Sequence, residues 1–171
     1  MVIFNSADDD KSTIKVSQLD IVYNNKIKAC ERPKISTSRD AYNILFHDWN
    51  MNKIELQEQF KVLFLDRGNR CSGVATIFSG GISATCVDLR LVFAMALKAV
   101  ASGIILAHNH PSGNLAASRA DIELTKQFHK AGNVLDVEVL DHLIITKEGY
   151  KSFADDGLIE YMPPMNSKFT R

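Results

Sequence analysis

The chain has little of what marks several large classes of protein. It holds three cysteines, Cys30, Cys71 and Cys86, with no Cys-x-x-Cys pair among them. That excludes a disulfide scaffold and a cysteine-built zinc knuckle, and the three read as reduced thiols packed as small hydrophobes. Neither sign of charge prevails: Lys+Arg and Asp+Glu both number 20, for a formal net charge of zero. A protein given over to coating nucleic acid is therefore not expected, although a local basic patch stays compatible with this balance. No segment approaches the ~20 apolar residues of a membrane span, so no membrane partner is expected. Met1 to Asp10 lack the basic and apolar stretches of a secretory signal, which makes the cytoplasm the expected compartment. There is no internal repeat and no low-complexity tract. What remains is an ordinary globular composition, 46% hydrophobic and 23% charged over 171 residues, enough for one domain with a real core.

Residues 1–12 read as a loose leader, and Thr13 to Cys30 has a strand-like texture with a turn at Asn24-Asn25. Thr37-Ser38-Arg39-Asp40 offers a helix start, and Ala41, Leu45, Phe46 and Trp49 continue at helical spacing to about Asn50. Residues 1–52 are expected to be an N-terminal extension packed on a main module at 53–160, with 161–171 as a flexible tail. The module opens with a buried strand, Phe60 to Leu65, a turn at Asp66–Asn69, and a second strand, Cys71 to Phe78. Ile82 to Cys86 reads as extended. An amphipathic helix from Leu89 to Val100 precedes the continuous apolar run Ile104–Ala107, the mark of a strand covered on both faces. A helix from Ser118 to Ala131 is expected to stop at Gly132-Asn133. Strands Leu135–Leu140 and His142–Thr146 then lead to a short helix around Ser152–Asp155. This alternation predicts an α/β fold, a mixed sheet with helices on its faces.

The chemistry concentrates after the central strand. His108 and His110, two apart on an extended chain, present both imidazoles on one face, close enough to grip one ion. Pro111-Ser112-Gly113-Asn114 turns the chain, Ser118 starts the next helix, and Asp121 lies one turn into it on the same side. A carboxylate at a helix N-terminus stays ionised and ready for a cation. Two histidines and one aspartate leave the fourth position of a tetrahedral zinc for water, as a catalytic rather than a structural site does. Each residue also has a plainer role open to it: a capped strand-end histidine, a first-turn helix acid, or, for Ser118, an N-cap.

His108-x-His110, seven residues, Ser118, two residues, Asp121 reproduces the signature of the JAMM, or JAB/MPN, metalloproteases. The surrounding Ile105-Leu106-Ala107-His108-Asn109-His110-Pro111-Ser112-Gly113 resembles the RadC branch of that superfamily. Phe64-Leu65-Asp66 and Leu140-Asp141-His142-Leu143-Ile144-Ile145 carry the same resemblance, which runs from about Leu56 to Leu158. It implies a three-layer α-β-α architecture, similar to that of the cytidine deaminases. It also implies one Zn²⁺ per chain held by His108, His110 and Asp121, and hydrolysis of a peptide or isopeptide bond through a metal-activated water. The family pattern requires an upstream glutamate. Glu58 matches it as general base, taking a proton from the water and returning it to the leaving nitrogen, whereas the nearby Glu55 is out of register. Ser118 would steady the oxyanion.

The departures bear on partners. RadC-type proteins commonly carry an N-terminal helix-hairpin-helix region tied to DNA contact, and residues 1–52 show no Gly-x-Gly hairpin. Arg90 stands where the family often has a Pro-Arg pair, without the proline; it reads as a solvated residue or as an anion contact. A peptide or protein is thus the expected partner, with nucleic acid following from family association alone. The competing functions are a metal-dependent DNA-processing factor and a non-catalytic scaffold. His-Asn-His is not an HNH nuclease motif, whose residues are dispersed, and the deaminase His-x-Glu and Pro-Cys-x-x-Cys are absent. His142 reads as a satisfied sheet histidine or as support for the metal, and His129 as a surface residue. Substrate specificity is expected from loops 79–88 and 111–117, and the oligomeric state is not fixed by the sequence.

Overall fold

A computed structural model describes residues 20, 22, 26–80 and 87–159. The leader at 1–12, most of the strand-like stretch at 13–25, the extended segment Ile82–Cys86 and the tail at 161–171 lie outside the described residues.

Five strands form one mixed sheet: β1 (Gln59–Leu65), β2 (Cys71–Ser79), β3 (Gly103–Asn109), β4 (Glu138–Ile145) and β5 (Tyr150–Ser152), in the order β2-β1-β3-β4-β5. β1 runs antiparallel to β2 and β3, β3 parallel to β4, and β4 antiparallel to β5. Every residue of β1 and β3 is buried, because helices cover both faces. Alternation divides their side chains between two cores. Phe60, Val62, Phe64, Ile104 and Leu106 meet α2 (Leu89–Lys98) and α3 (Arg119–Leu135), where Phe93 and Phe128 fill the layer. Phe128 is fully buried, and its burial stabilises by about 2–3 kcal/mol. Leu63, Leu65, Ile105 and Ala107 face the other way, onto Ala41 and Leu45 of α1 (Ser38–Asp48) and the Trp49 that follows it. The result is the three-layer α-β-α architecture. The start of α1 is set by a capping box, Thr37 accepting from the Asp40 N–H at 3.2 Å while Asp40 accepts from the Thr37 N–H at 2.9 Å.

Five local expectations are corrected. Ala29–Glu31 is a single 3-10 turn, not strand, and Cys30 is exposed while Cys71 is buried. Helix α3 runs through Gly132 and Asn133 to Leu135, closing at Asp136 in the left-handed region (φ 55°). Gly132 is there for proximity: a Cβ would lie 2.3 Å from the Val137 carbonyl oxygen. The strands expected at 135–140 and 142–146 are one strand, β4, interrupted by a bulge. Its pairing with β3 steps from Ile104–Val139 to Ile105–Asp141 and leaves Leu140 over. Finally, Tyr150–Ser152 is a strand and 153–157 a turn, where a short helix was expected.

Candidate metal centre

The centre lies where the carboxyl end of the central strand β3 meets the start of α3. His108 projects from β3 toward α3 and is 2% exposed. His110 lies just past the strand, and its ring centroid is 4.8 Å from that of His108. Asp121 arrives from the first turn of α3, where the Ser118 cap fixes it: Ser118 Oγ accepts from the Asp121 N–H at 3.1 Å, and Asp121 Oδ2 accepts from the Ser118 N–H at 2.7 Å. The three side chains each turn one donor atom inward, all within 4.8 Å of one another. His108 Nε2 is 3.0 Å from His110 Nε2 and 3.4 Å from Asp121 Oδ1, and His110 Nε2 is 3.8 Å from Asp121 Oδ2.

The hydrogen bonding of His110 and the burial of His108 favour a cation between them. The Nδ1 of His110 lies 2.6 Å from the Asn114 carbonyl oxygen. A carbonyl only accepts, so Nδ1 carries the hydrogen and a neutral His110 has a bare Nε2. Burial, the largest influence, holds the His108 imidazole down at about 4, against the opposing pull of Asp121 and with a smaller push from His110. Both rings are thus suited to offering lone pairs, at a spacing where two lone pairs repel unless something positive sits between them. The donor set and its spacing fit a metal ion.

Glu58 lines the same cleft, of about 410 Å³, together with Phe60, Ser118, Leu124 and Gln127. The rival Glu55 does not; it is exposed and paired with Lys147 at 3.0 Å. Arg90 is also not among the residues that line the cleft; it is exposed and paired with Asp88 at 2.7 Å.

The family model of the RadC-like JAB domain matches residues 35–158. The chain belongs to the RadC-like JAB domain family. Among curated relatives it is 48% identical over 128 residues to a UPF0758 protein of Flavobacterium johnsoniae, covering 73% of this chain and 53% of that one. A UPF0758 protein of Symbiobacterium thermophilum is 43% identical over 102 residues, covering 60% and 44%. Another, of Bacillus licheniformis, is 38% identical over 132 residues, covering 77% and 58%. The chain spans about half the length of these relatives. Among the described residues no helix is long and apolar enough to cross a membrane.

Two features of this RadC-like domain escape a reading of the motif alone. Asn109, between the two histidines, is fully buried on the opposite face of β3. Its Oδ1 accepts from the Gln59 N–H at 2.7 Å, and its Nδ2 donates to the carbonyls of Ile54 at 2.6 Å and Gln57 at 3.0 Å. The backbone on both sides of Glu58 is thereby tied to the strand that carries His108. Alternation alone, with a polar residue turned into an apolar layer, was the available signal. The second is His142, left outside the site by its sequence context. Completely buried in β4, it reaches His108 Nδ1 at 2.8 Å, and burial holds its imidazole well below the usual range. His129, expected at the surface, is half-buried in α3.

Proposed function

We propose that this chain is a zinc-dependent metallohydrolase of the JAMM type, cleaving an amide bond in a peptide or isopeptide with water. The observation that carries this reading is the convergence of His108, His110 and Asp121 in a cleft that Glu58 also lines. Two imidazole nitrogens and one carboxylate oxygen make a zinc donor set, and three protein ligands leave a position for a reactant. Bound there, zinc would supply Lewis acidity to a carbonyl and bring the pKa of a water toward ~7.

The rest is done by the chain's own groups. Glu58 takes the water's proton as its oxygen adds to the carbonyl carbon, holds it, and returns it to the nitrogen as the C–N bond breaks. Ser118 caps α3 with a lone pair, which leaves its hydroxyl hydrogen to donate to the developing oxyanion. A peptide substrate is supported over DNA by the lining of the cleft, which includes Glu58, Asp121 and Glu123 but no lysine or arginine among the described residues. A phosphodiester backbone calls for the opposite charge.

The test starts with metal content, expected at about one zinc per chain in zinc-replete protein. A value below about half an equivalent removes the hydrolase reading, because the three-ligand site then does not hold the ion. Peptide and isopeptide libraries are then run beside plasmid nicking. Glu58→Gln is expected to keep its zinc and lose about 10²–10⁴-fold in cleavage, whereas His108→Ala loses the zinc itself. Nicking without peptide cleavage would assign the site to DNA processing. Zinc binding with neither activity would leave a scaffold.

A further inference from the structure

Behind the three inward-facing atoms lies a chain of polar contacts that leads from His108 to Asp121. His108 Nδ1 is 2.8 Å from His142 Nε2, His142 Nδ1 is 2.6 Å from Thr125 Oγ1, and Thr125 Oγ1 donates to the Asp121 carbonyl oxygen at 2.6 Å. Thr125 and His142 are both buried, 3% and 0% exposed. The direction of every bond follows from the last one. A backbone carbonyl only accepts, so the single Thr125 hydrogen goes to Asp121. Thr125 must therefore accept from His142, which puts the His142 hydrogen on Nδ1. A completely buried imidazole with no carboxylate on its ring among the described residues is neutral, so its Nε2 is bare. His108 must then donate through Nδ1, and its own bare nitrogen is Nε2, the one turned toward His110 and Asp121.

Backbone geometry delivers His142 to this place. Val139 faces α2 and α3, and plain alternation would send residue 141 to that side and residue 142 to the other. The bulge at Leu140 inverts the parity, so that Leu143 and Ile145 face α1 while His142 turns toward α3 and Phe60. Gly103, across on β3, gives the bulged side chain its room: a Cβ there would lie 2.9 Å from Leu140 Cδ1.

We propose that His142 and Thr125 are positioning residues, which fix the tautomer of His108 and tie it to the helix that carries Asp121. Ligands from two separate elements, β3 and α3, are thereby held in one geometry before a metal arrives. This rests on the metal reading above for its consequence, though not for the hydrogen-bond geometry.

The experiment measures zinc affinity of the full chain by competition with a chromophoric chelator, and histidine tautomers by long-range ¹⁵N–¹H spectra with and without zinc. Thr125→Val keeps the volume and removes the bridge, and His142→Leu removes both bonds of the ring. Each is expected to weaken zinc binding about 10–100-fold. His142→Gln, which keeps an acceptor opposite His108 Nδ1, is expected to lose less. Adding Thr125→Val to His142→Leu is expected to cost nothing further, since the bridge is already cut. Should His142→Leu fail to fold, Thr125→Val decides. The spectra are expected to show hydrogen on Nδ1 of both His108 and His142. Wild-type zinc binding that both variants retain within about twofold overturns the proposal, as does a His142 hydrogen on Nε2. Wild-type protein that binds no zinc but shows these tautomers overturns the hydrolase reading, and leaves the hydrogen-bond assignment standing.

Discussion

The side-chain oxygen of Asn109 accepts a hydrogen bond from the backbone N–H of Gln59 at 2.7 Å, inside the core and next to Glu58, the residue proposed as general base. With its two bonds to the carbonyls of Ile54 and Gln57, one buried amide holds the segment that presents Glu58. Replacing it leaves three backbone groups unpaired in an apolar layer. Asn109→Ala is therefore expected to cost about 2–4 kcal/mol in urea unfolding. It should also lower turnover more than zinc affinity, since His108 and His110 lie on the other side of the chain. Equal losses in both would mean that Asn109 serves only the fold.

Asp121 has two duties, one as the carboxylate facing the histidines and one as half of a capping box. Asp121→Asn keeps an acceptor for the Ser118 N–H but removes the charge. The expected result is a large loss of zinc affinity with little change in stability of the zinc-free protein. Asp121→Ala should lose the cap as well, at about 1 kcal/mol. Chemical denaturation of the two variants without metal separates these duties. Identical stabilities would show that the cap contributes nothing.

The buried histidines set a pH dependence. His108 is held at about 4 in the fold, against an ordinary 6.5, chiefly by burial, and His142 is also pushed well down. The unfolded chain therefore binds protons that the native chain refuses, so stability is full above pH 6.5 and is lost as the pH falls toward about 4. The His108 share is about 3 kcal/mol. Asp141, raised by its own burial from the ordinary 3.8, works in the opposite sense as the pH rises above that value. Urea unfolding of zinc-free protein across this window is the measurement. Stability that holds constant or rises on acidification would show that these rings accept protons in place.

Gly132 tests the account of the α3 terminus. Alanine is the better helix former by about 1 kcal/mol, and in an open helix Gly132→Ala would stabilise. Here the new methyl meets the Val137 carbonyl oxygen at 2.3 Å. The turn from α3 into β4 must shift, and a net loss of at least about 2 kcal/mol is expected. A stabilised variant in thermal melts would show that the turn yields freely.

Much of the centre was legible in the spacing of its residues. Two histidines two apart at the end of a strand share a face, and a serine three residues before an aspartate caps a helix. Together they place the three candidate donors without knowledge of any neighbour. The apolar run Ile104–Ala107 likewise announced a strand covered on both sides. What stayed hidden depends on partners distant in the chain. Gly132 resembles a helix stop because nothing nearby reveals that Val137 will fold back against it. Asp141 interrupts an apolar stretch and resembles a break between strands. It is instead a paired residue of a bulged strand, and the bulge exists only relative to β3. Asn109 and His142 are polar residues whose partners lie 50 and 34 positions away, so alternation can mark Asn109 as turned inward, but the partners of both follow only from the sheet register.

The Ser118–Asp121 cap has a kinetic corollary. His108 belongs to the central, fully buried strand of the sheet, while Asp121 depends on the first turn of a helix, the part of any helix that opens most often. An ion gripped by both would be released one contact at a time, by fraying of that turn with the sheet intact. Residence time would then follow the strength of the cap rather than the stability of the whole domain. A firmer cap would slow exchange without altering the chemistry, and the Asp121 amide, bonded to Ser118 Oγ, would report the opening directly through its rate of exchange with deuterium.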